Sequence, residues 1–161
     1  MSINNYLPHL LVLPEDEANY KIVNGFLLNL NLDLRSIKVL PYVGGWNVAV
    51  EKFVKDYAPK MRQYPERRMV LLIDFDRQDN RHNHINEKIP DDLRDRVFII
   101  GTFSNPEELR NSLRKSFEEI GETISKDCFD NTEGLWNHNL LKHNKTELER
   151  MISSVKPFLF S

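Results

Sequence analysis

The sequence predicts an α/β protein: a mainly parallel four-stranded sheet flanked by helices, with a helical C-terminal extension. Three observations carry this. Four short apolar runs, LLVL at 10–13, IKVL at 37–40, RMVLLIDFD at 68–76 and VFIIG at 97–101, have the length and bounding residues of strands. Helical spacing of apolar residues fills the intervals between the first three, the alternation that produces βα units and parallel pairing. From residue 104 onward the helical period dominates and strand-like runs are scarce.

Taken in order, the first strand ends at Pro14. After three acids, Ala18, Ile22, Val23, Phe26 and Leu30 recur at helical spacing and predict a helix of about four turns. IKVL is the second strand and Gly44 with Gly45 a tight turn. Val48, Val50, Phe53, Val54 and Tyr57 then mark one face of a second helix, expected to stop before Pro59. RMVLLIDFD is the most hydrophobic strand and so the expected central one. A polar segment follows, with a short helix around His84 to Lys88, and then the fourth strand. Ser104 stands three residues before Glu107, the spacing of a capping box, and Leu109, Leu113, Phe117 and Ile120 predict one long helix from there. Thr146 and Glu149 repeat the box spacing ahead of the stripe Leu148, Met151, Ile152 and Val155, which ends before Pro157.

A chain of 161 residues holds one ordinary core, so 1–161 reads as a single domain, with an α/β core at 8–115 and the helical extension at 116–161. No apolar run approaches the roughly 20 residues of a membrane helix. The N-terminal segment also lacks the basic region and apolar length of a signal peptide, so the expected compartment is the cytoplasm and no membrane partner is expected. Cys128, the single cysteine, excludes an internal disulfide and a cysteine zinc site and reads as an ordinary buried or half-buried thiol. The net charge of −2 gives no general attraction to nucleic acid, so any such contact must be made by a local patch or through a metal ion.

In an open parallel sheet the functional crevice lies beyond the carboxyl ends of the strands. Three acidic clusters fall there: Glu15, Asp16 and Glu17 after the first strand, Asp74 and Asp76 after the third, and Glu107 and Glu108 shortly after the fourth. Gathered carboxylates repel one another unless a hard cation such as Mg²⁺ or Mn²⁺ neutralises them. Alternation along an extended chain would turn Asp74 and Asp76 to one side and Phe75 to the other, so that both acids reach one ion. Helix capping explains Glu15 to Glu17 and Glu107 without any metal, and for Glu107 the box spacing makes that the preferred reading.

These residues resemble the Toprim domain, the metal-binding domain of topoisomerases, primases, recombination mediators and overcoming-lysogenization-defect nucleases. Its pattern is a glutamate after the first strand, a glycine-containing turn after the second and DxD after the third. LLVLPEDEAN supplies Glu15, VLPYVGGWNVAV supplies Gly44 and Gly45, and VLLIDFDR supplies Asp74 and Asp76. The similarity is greatest to small stand-alone and nuclease-type members, in which a further acid after strand four joins the site, here Glu107 or Glu108. A glycine usually follows the family glutamate, whereas this chain has Asp16. Which of Glu15, Asp16 and Glu17 plays the part is therefore open, and Glu15 is preferred as the first after the strand.

The resemblance implies a Rossmann-like fold and Mg²⁺- or Mn²⁺-dependent cleavage of a nucleic-acid phosphodiester. Asp74 and Asp76 would hold the ion, Glu15 would be a ligand or general acid/base, and activated water would be the nucleophile. It implies a nucleic-acid partner, DNA ahead of RNA, and leaves room for an ATPase partner or a homodimer, as in bacterial DNA-processing or defence systems. Arg77 and Arg81 are candidate phosphate contacts, and the amides of Gly44 and Gly45 are candidates to approach a phosphate. His82 and His84 could ligate a transition metal in an extended loop, without any HxxxH spacing to support zinc. Trp136, Leu140 and Leu141 are expected to pack on the core.

Two alternatives use the same residues. A receiver-like signalling module would take Asp74 as phospho-acceptor and Thr102 as its switch hydroxyl, with a lysine after a fifth strand, for which VKPF at 155–158 is the candidate. A catalytically silent Toprim-like subunit would bind a partner and leave the acids idle.

Overall fold

In a computed structural model, which describes residues 2–160, four parallel strands form one sheet in the order β2-β1-β3-β4. β1 (His9–Pro14) is buried at all six positions, as a continuous apolar run in the middle of a covered sheet must be. β3 (Arg67–Leu72) pairs with it in register from His9 opposite Arg67 to Pro14 opposite Leu72. The short β2 (Ile37–Val39) and β4 (Val97–Ile100) lie at the two edges.

Alternation along the strands sends side chains into two helical layers. Leu11, Leu13, Met69, Leu71 and Ile99 meet one of them, which contains α2 (Trp46–Lys52), α3 (Ala58–Gln63) and α4 (Arg81–Asn86). Leu10, Val12, Val70 and Phe98 face the other, against α1 (Glu17–Phe26) and α7 (Lys145–Leu159). α5 (Pro106–Leu113) and α6 (Phe117–Asp130) build outward from α1, joined by Trp136, Leu140 and Leu141, which are buried as their pattern predicts. The α1–α6 crossing is close: a methyl group on Gly121 would lie 1.8 Å from the Ile22 carbonyl oxygen. No helix among the described residues is long and apolar enough to cross a membrane.

The helical boundaries differ from the sequence expectation in six places, the simplest being the short helix expected around His84 to Lys88, which is α4 and runs Arg81–Asn86. α1 stops at Phe26 rather than reaching Leu30, which is 99% exposed, because Asn29 turns the chain by accepting the Asn31 amide at 2.8 Å. The second helix does not end before Pro59. It widens into a π-helical segment at Phe53–Tyr57 and continues as α3, with Pro59 in the first turn, where its missing N–H and its ring are tolerated. The long helix from 104 is two helices: Arg114 is left-handed (φ 54°), and Ser116 with Glu119 forms the real capping box. α5 is instead capped by Asn105, which accepts the Glu108 amide, so Ser104 and Glu107 form no box. Nor do Thr146 and Glu149, since α7 starts earlier, at Lys145, and runs on through Pro157.

α7 also covers the outer edge of β4. Glu147 accepts the Ile99 amide at 3.0 Å, and Asn144 bonds both the Gly101 amide (3.2 Å) and its carbonyl (2.9 Å). Side chains therefore satisfy groups that an edge strand would otherwise present to another chain.

Candidate metal centre

The strand order places the topological switch between β1 and β3: the chain leaves β1 toward β2 on one side and continues through β3 and β4 on the other. Glu15 follows β1 and Asp74 lies two residues past β3, so the two acids meet at this crevice. Glu15 is held by its backbone, its amide donating to the Leu72 carbonyl at 2.9 Å. Its carbonyl accepts the Gly44 and Gly45 amides at 2.7 and 3.0 Å. Both glycines have positive φ, 105° and 152°, which the turn requires and a side chain would oppose. The amides expected to cradle a phosphate are thus spent on fixing Glu15.

One carboxylate oxygen of Glu15 accepts the Asp74 amide at 2.6 Å. Asp74 in turn accepts the Asn19 side-chain amide at 2.8 Å, and the same amide nitrogen reaches Asp16 at 2.8 Å. Asp16 also caps α1 through the Asn19 backbone amide at 3.0 Å. Carboxylate oxygens of Glu15, Asp16 and Asp74 lie within 4.8 Å of one another. Glu15 and Asp74 are 8% and 6% exposed, yet Glu15 Oε1 and Asp74 Oδ2 have no hydrogen-bond partner among the described residues.

Burial pushes the Glu15 carboxyl up to about 7, and the charges of Asp16 and Asp76 push the same way, against the Asp74 amide and Arg81. Burial likewise raises Asp74 well above the carboxylate range, helped by Glu15, Asp16 and Asp76 and opposed by the Asn19 hydrogen bond. Three crowded carboxylates could hold a metal ion, and an all-oxygen set of this kind favours a hard cation over a soft one.

The other expected residues fall around this centre rather than in it. Asp76 is not one of the three clustered acids, although its charge acts on both Glu15 and Asp74. Asp76 and Arg77 are left-handed (φ 49° and 59°), their amides bonded to the Ser104 and Phe103 carbonyls, so the alternation of an extended strand ends there. The Asp76 carboxylate pairs with Arg81, which also donates to the Asp74 carbonyl at 3.0 Å and lies over the Trp46 ring at 4.4 Å. Arg77 pairs with Glu108. Glu107 is exposed in the first turn of α5, where it complements the helix dipole. Glu17 pairs with Lys21 at 3.4 Å. His82 bonds Glu147 at 2.9 Å, while His84 packs edge-on against Trp46, so the two histidines diverge.

Lys156, which the receiver alternative needs after a fifth strand, lies in α7 and donates to the Phe129 carbonyl at 3.2 Å, and Thr102 is buried. Sequence reasoning missed Asn19, the bridge between Asp16 and Asp74. Its place three residues after an N-capping Asp was the available signal. No protein-family model matches the chain, and no curated protein matches it in sequence.

Proposed function

We propose that the chain is a Mg²⁺- or Mn²⁺-dependent enzyme acting on the phosphodiester bonds of nucleic acid, DNA ahead of RNA, the activity that its resemblance to Toprim nucleases implies. One observation carries the reading: Glu15 and Asp74, two buried carboxylates with open oxygens, meet at the switch point of a parallel sheet beside Asp16, and no basic side chain among the described residues pairs with any of the three. Such an arrangement costs stability in the free protein, and a bound cation offsets that cost.

Glu15, Asp74 and Asp16 would hold the ion. When bound, it would supply a nucleophilic water and polarise a phosphoryl oxygen. Glu15 would exchange a proton at Oε1, a role that its raised pKa and its anchoring by the Gly44–Gly45 turn support. Asn19 keeps Asp16 and Asp74 in position by bridging them. Arg77, half-exposed with donors left over from its pair with Glu108, would contact phosphate directly, and Arg81 would do so beside or in place of its pair with Asp76.

The test is titration of Mn²⁺ and Mg²⁺ into the purified protein, followed by heat and by thermal stability, beside Glu15→Gln and Asp74→Asn. The wild type should gain stability with metal concentration and both variants should lose the response. Cleavage of plasmid DNA and of RNA should then require the same two acids. A metal response without cleavage of either would leave the silent, partner-binding alternative, and no metal response would remove the proposal.

A further inference from the structure

We propose that the strand presented to this centre is unpaired, its bases stacking on two aromatic platforms, Tyr42 and Trp46, that bracket the Gly44–Gly45 turn. The inference rests on the nucleic-acid reading above and specifies its substrate class.

Both rings stand two residues or fewer from the glycines whose amides hold Glu15, so each is tied to the acid cluster by the backbone that positions it. They are four residues apart, a separation of at most about 14 Å between their α-carbons, within reach of a few nucleotides. Tyr42 is 47% exposed and lies outside the three apolar clusters that make up the core. Its ring is backed by Tyr20, 5.6 Å away between centroids, and Tyr20 neighbours Asn19, the bridge to Asp74. Trp46 is half-buried and surrounded by basic side chains: the Arg81 guanidinium at 4.4 Å, the Lys88 ammonium at 6.0 Å and the His84 ring at 5.7 Å.

Aromatic rings and cations interleaved beside a candidate cleavage centre are the ingredients of a single-strand groove. Tyr42 offers its exposed π face directly, whereas a base would reach Trp46 by stacking on or displacing the Arg81 guanidinium that lies over it, and the cations follow the backbone. Bases within a duplex are already stacked on their neighbours and cannot reach such rings, whereas bases of an unpaired strand can. The chain's net charge of −2 argues the same way. With no net positive charge to draw phosphates in, stacking and the metal would carry a larger share of the binding. Every base has a π face, so the groove tolerates any sequence.

The experiment measures fluorescence anisotropy of the full chain, in Ca²⁺, with labelled oligothymidylate, the corresponding oligouridylate and a hairpin duplex. Both single strands should bind at least about tenfold more tightly than the hairpin, and Tyr42→Ala and Trp46→Ala should each weaken single-strand binding by about tenfold, with Phe at either position restoring most of it. The Mn²⁺-induced rise in thermal stability should be unchanged in these variants. Because Tyr42 lies outside the core, Tyr42→Ala decides the matter even if Trp46→Ala unfolds.

Hairpin binding equal to or tighter than single-strand binding, or an unaffected Tyr42→Ala variant, overturns the inference. If the wild-type Mn²⁺ response survives in that case, the metal-enzyme reading stands without it. Absence of both oligonucleotide binding and metal response removes the two together. Single-strand binding that depends on Tyr42 in a protein with no Mn²⁺ response upholds the groove and removes the enzyme.

Discussion

Replacing Asp74 with asparagine should stabilise the metal-free protein while destroying its response to metal. Asp74 is 6% exposed, shares its space with Glu15 and Asp16, and has one neutral side-chain donor, Asn19. Asparagine keeps the size of the side chain and an oxygen to accept the Asn19 amide, and removes the charge. Both Glu15 and Asp74 have folded-state pKa values raised above their unfolded values. The folded protein therefore holds protons that the unfolded chain has released, and this contribution to stability is complete below the unfolded values near pH 4. It is lost as the pH rises through the folded values, with Glu15 at about 7.

A shift of one unit corresponds to about 1.4 kcal/mol, so the pair as a unit is strained by several kcal/mol when fully ionised. Each acid is part of the cause of the other's shift, and relaxation with water entry reduces the sum. Roughly 2 kcal/mol remains as the expected gain for Asp74→Asn at pH 8. For a chain of this length that is a rise in Tm of about 4–8 °C.

The assay is thermal unfolding in EDTA at several pH values between 5 and 8, repeated with saturating Mg²⁺. The advantage of the variant over wild type should be small at pH 5 and grow toward pH 8. With Mg²⁺ it should shrink or reverse, because only the wild type gains from the ion. A variant less stable than wild type in EDTA at pH 8, or a difference that does not change with pH, would refute the argument that the acid pair is unneutralised in the metal-free fold.

Three further outcomes are expected. Asp16→Asn preserves the α1 cap, since Asn caps as well as Asp, but removes a charge from the cluster; calorimetry should show Mn²⁺ binding weakened by about tenfold, with a smaller effect for Asp76→Asn. Gly121→Ala gains about 1 kcal/mol of helix propensity, yet its methyl would lie 1.8 Å from the Ile22 carbonyl oxygen, so α1 and α6 must separate. Urea unfolding should register a net loss of about 1–3 kcal/mol, and a gain would show the crossing to be looser than described. Asn144→Ala strands the Gly101 amide and carbonyl at the β4 edge and should cost about 2–4 kcal/mol at unchanged m value.

Much of the site's skeleton was legible in the chain because it depends on local chemistry. Runs such as HLLVLP and RRMVLL must be buried on both faces, so they are strands, and acids directly following them must lie at the sheet's carboxyl edge. That reasoning located Glu15, Asp74 and the Gly44–Gly45 turn. It did not anticipate the backbone at Asp76, because the left-handed turn there is set by the Phe103 and Ser104 carbonyls, which belong to a segment about thirty residues away. It also left the choice among Glu15, Asp16 and Glu17 open. The structure splits them: Glu15 buried against Asp74, Asp16 both capping α1 and joining the cluster, and Glu17 paired outward with Lys21.

By itself, then, the sequence determined the α/β class, the four strands and the gathering of acids at one edge, all consequences of period and burial read along a few residues. Only the tertiary structure decided the strand order that sets β1 beside β3, the bridge through Asn19, the partners that occupy Arg77 and Arg81, and the covering of β4 by Asn144 and Glu147. Each of these joins groups distant in sequence. Such pairings are selected by packing and by the cost of leaving buried polar groups unpaired, and no local pattern records which partner will arrive.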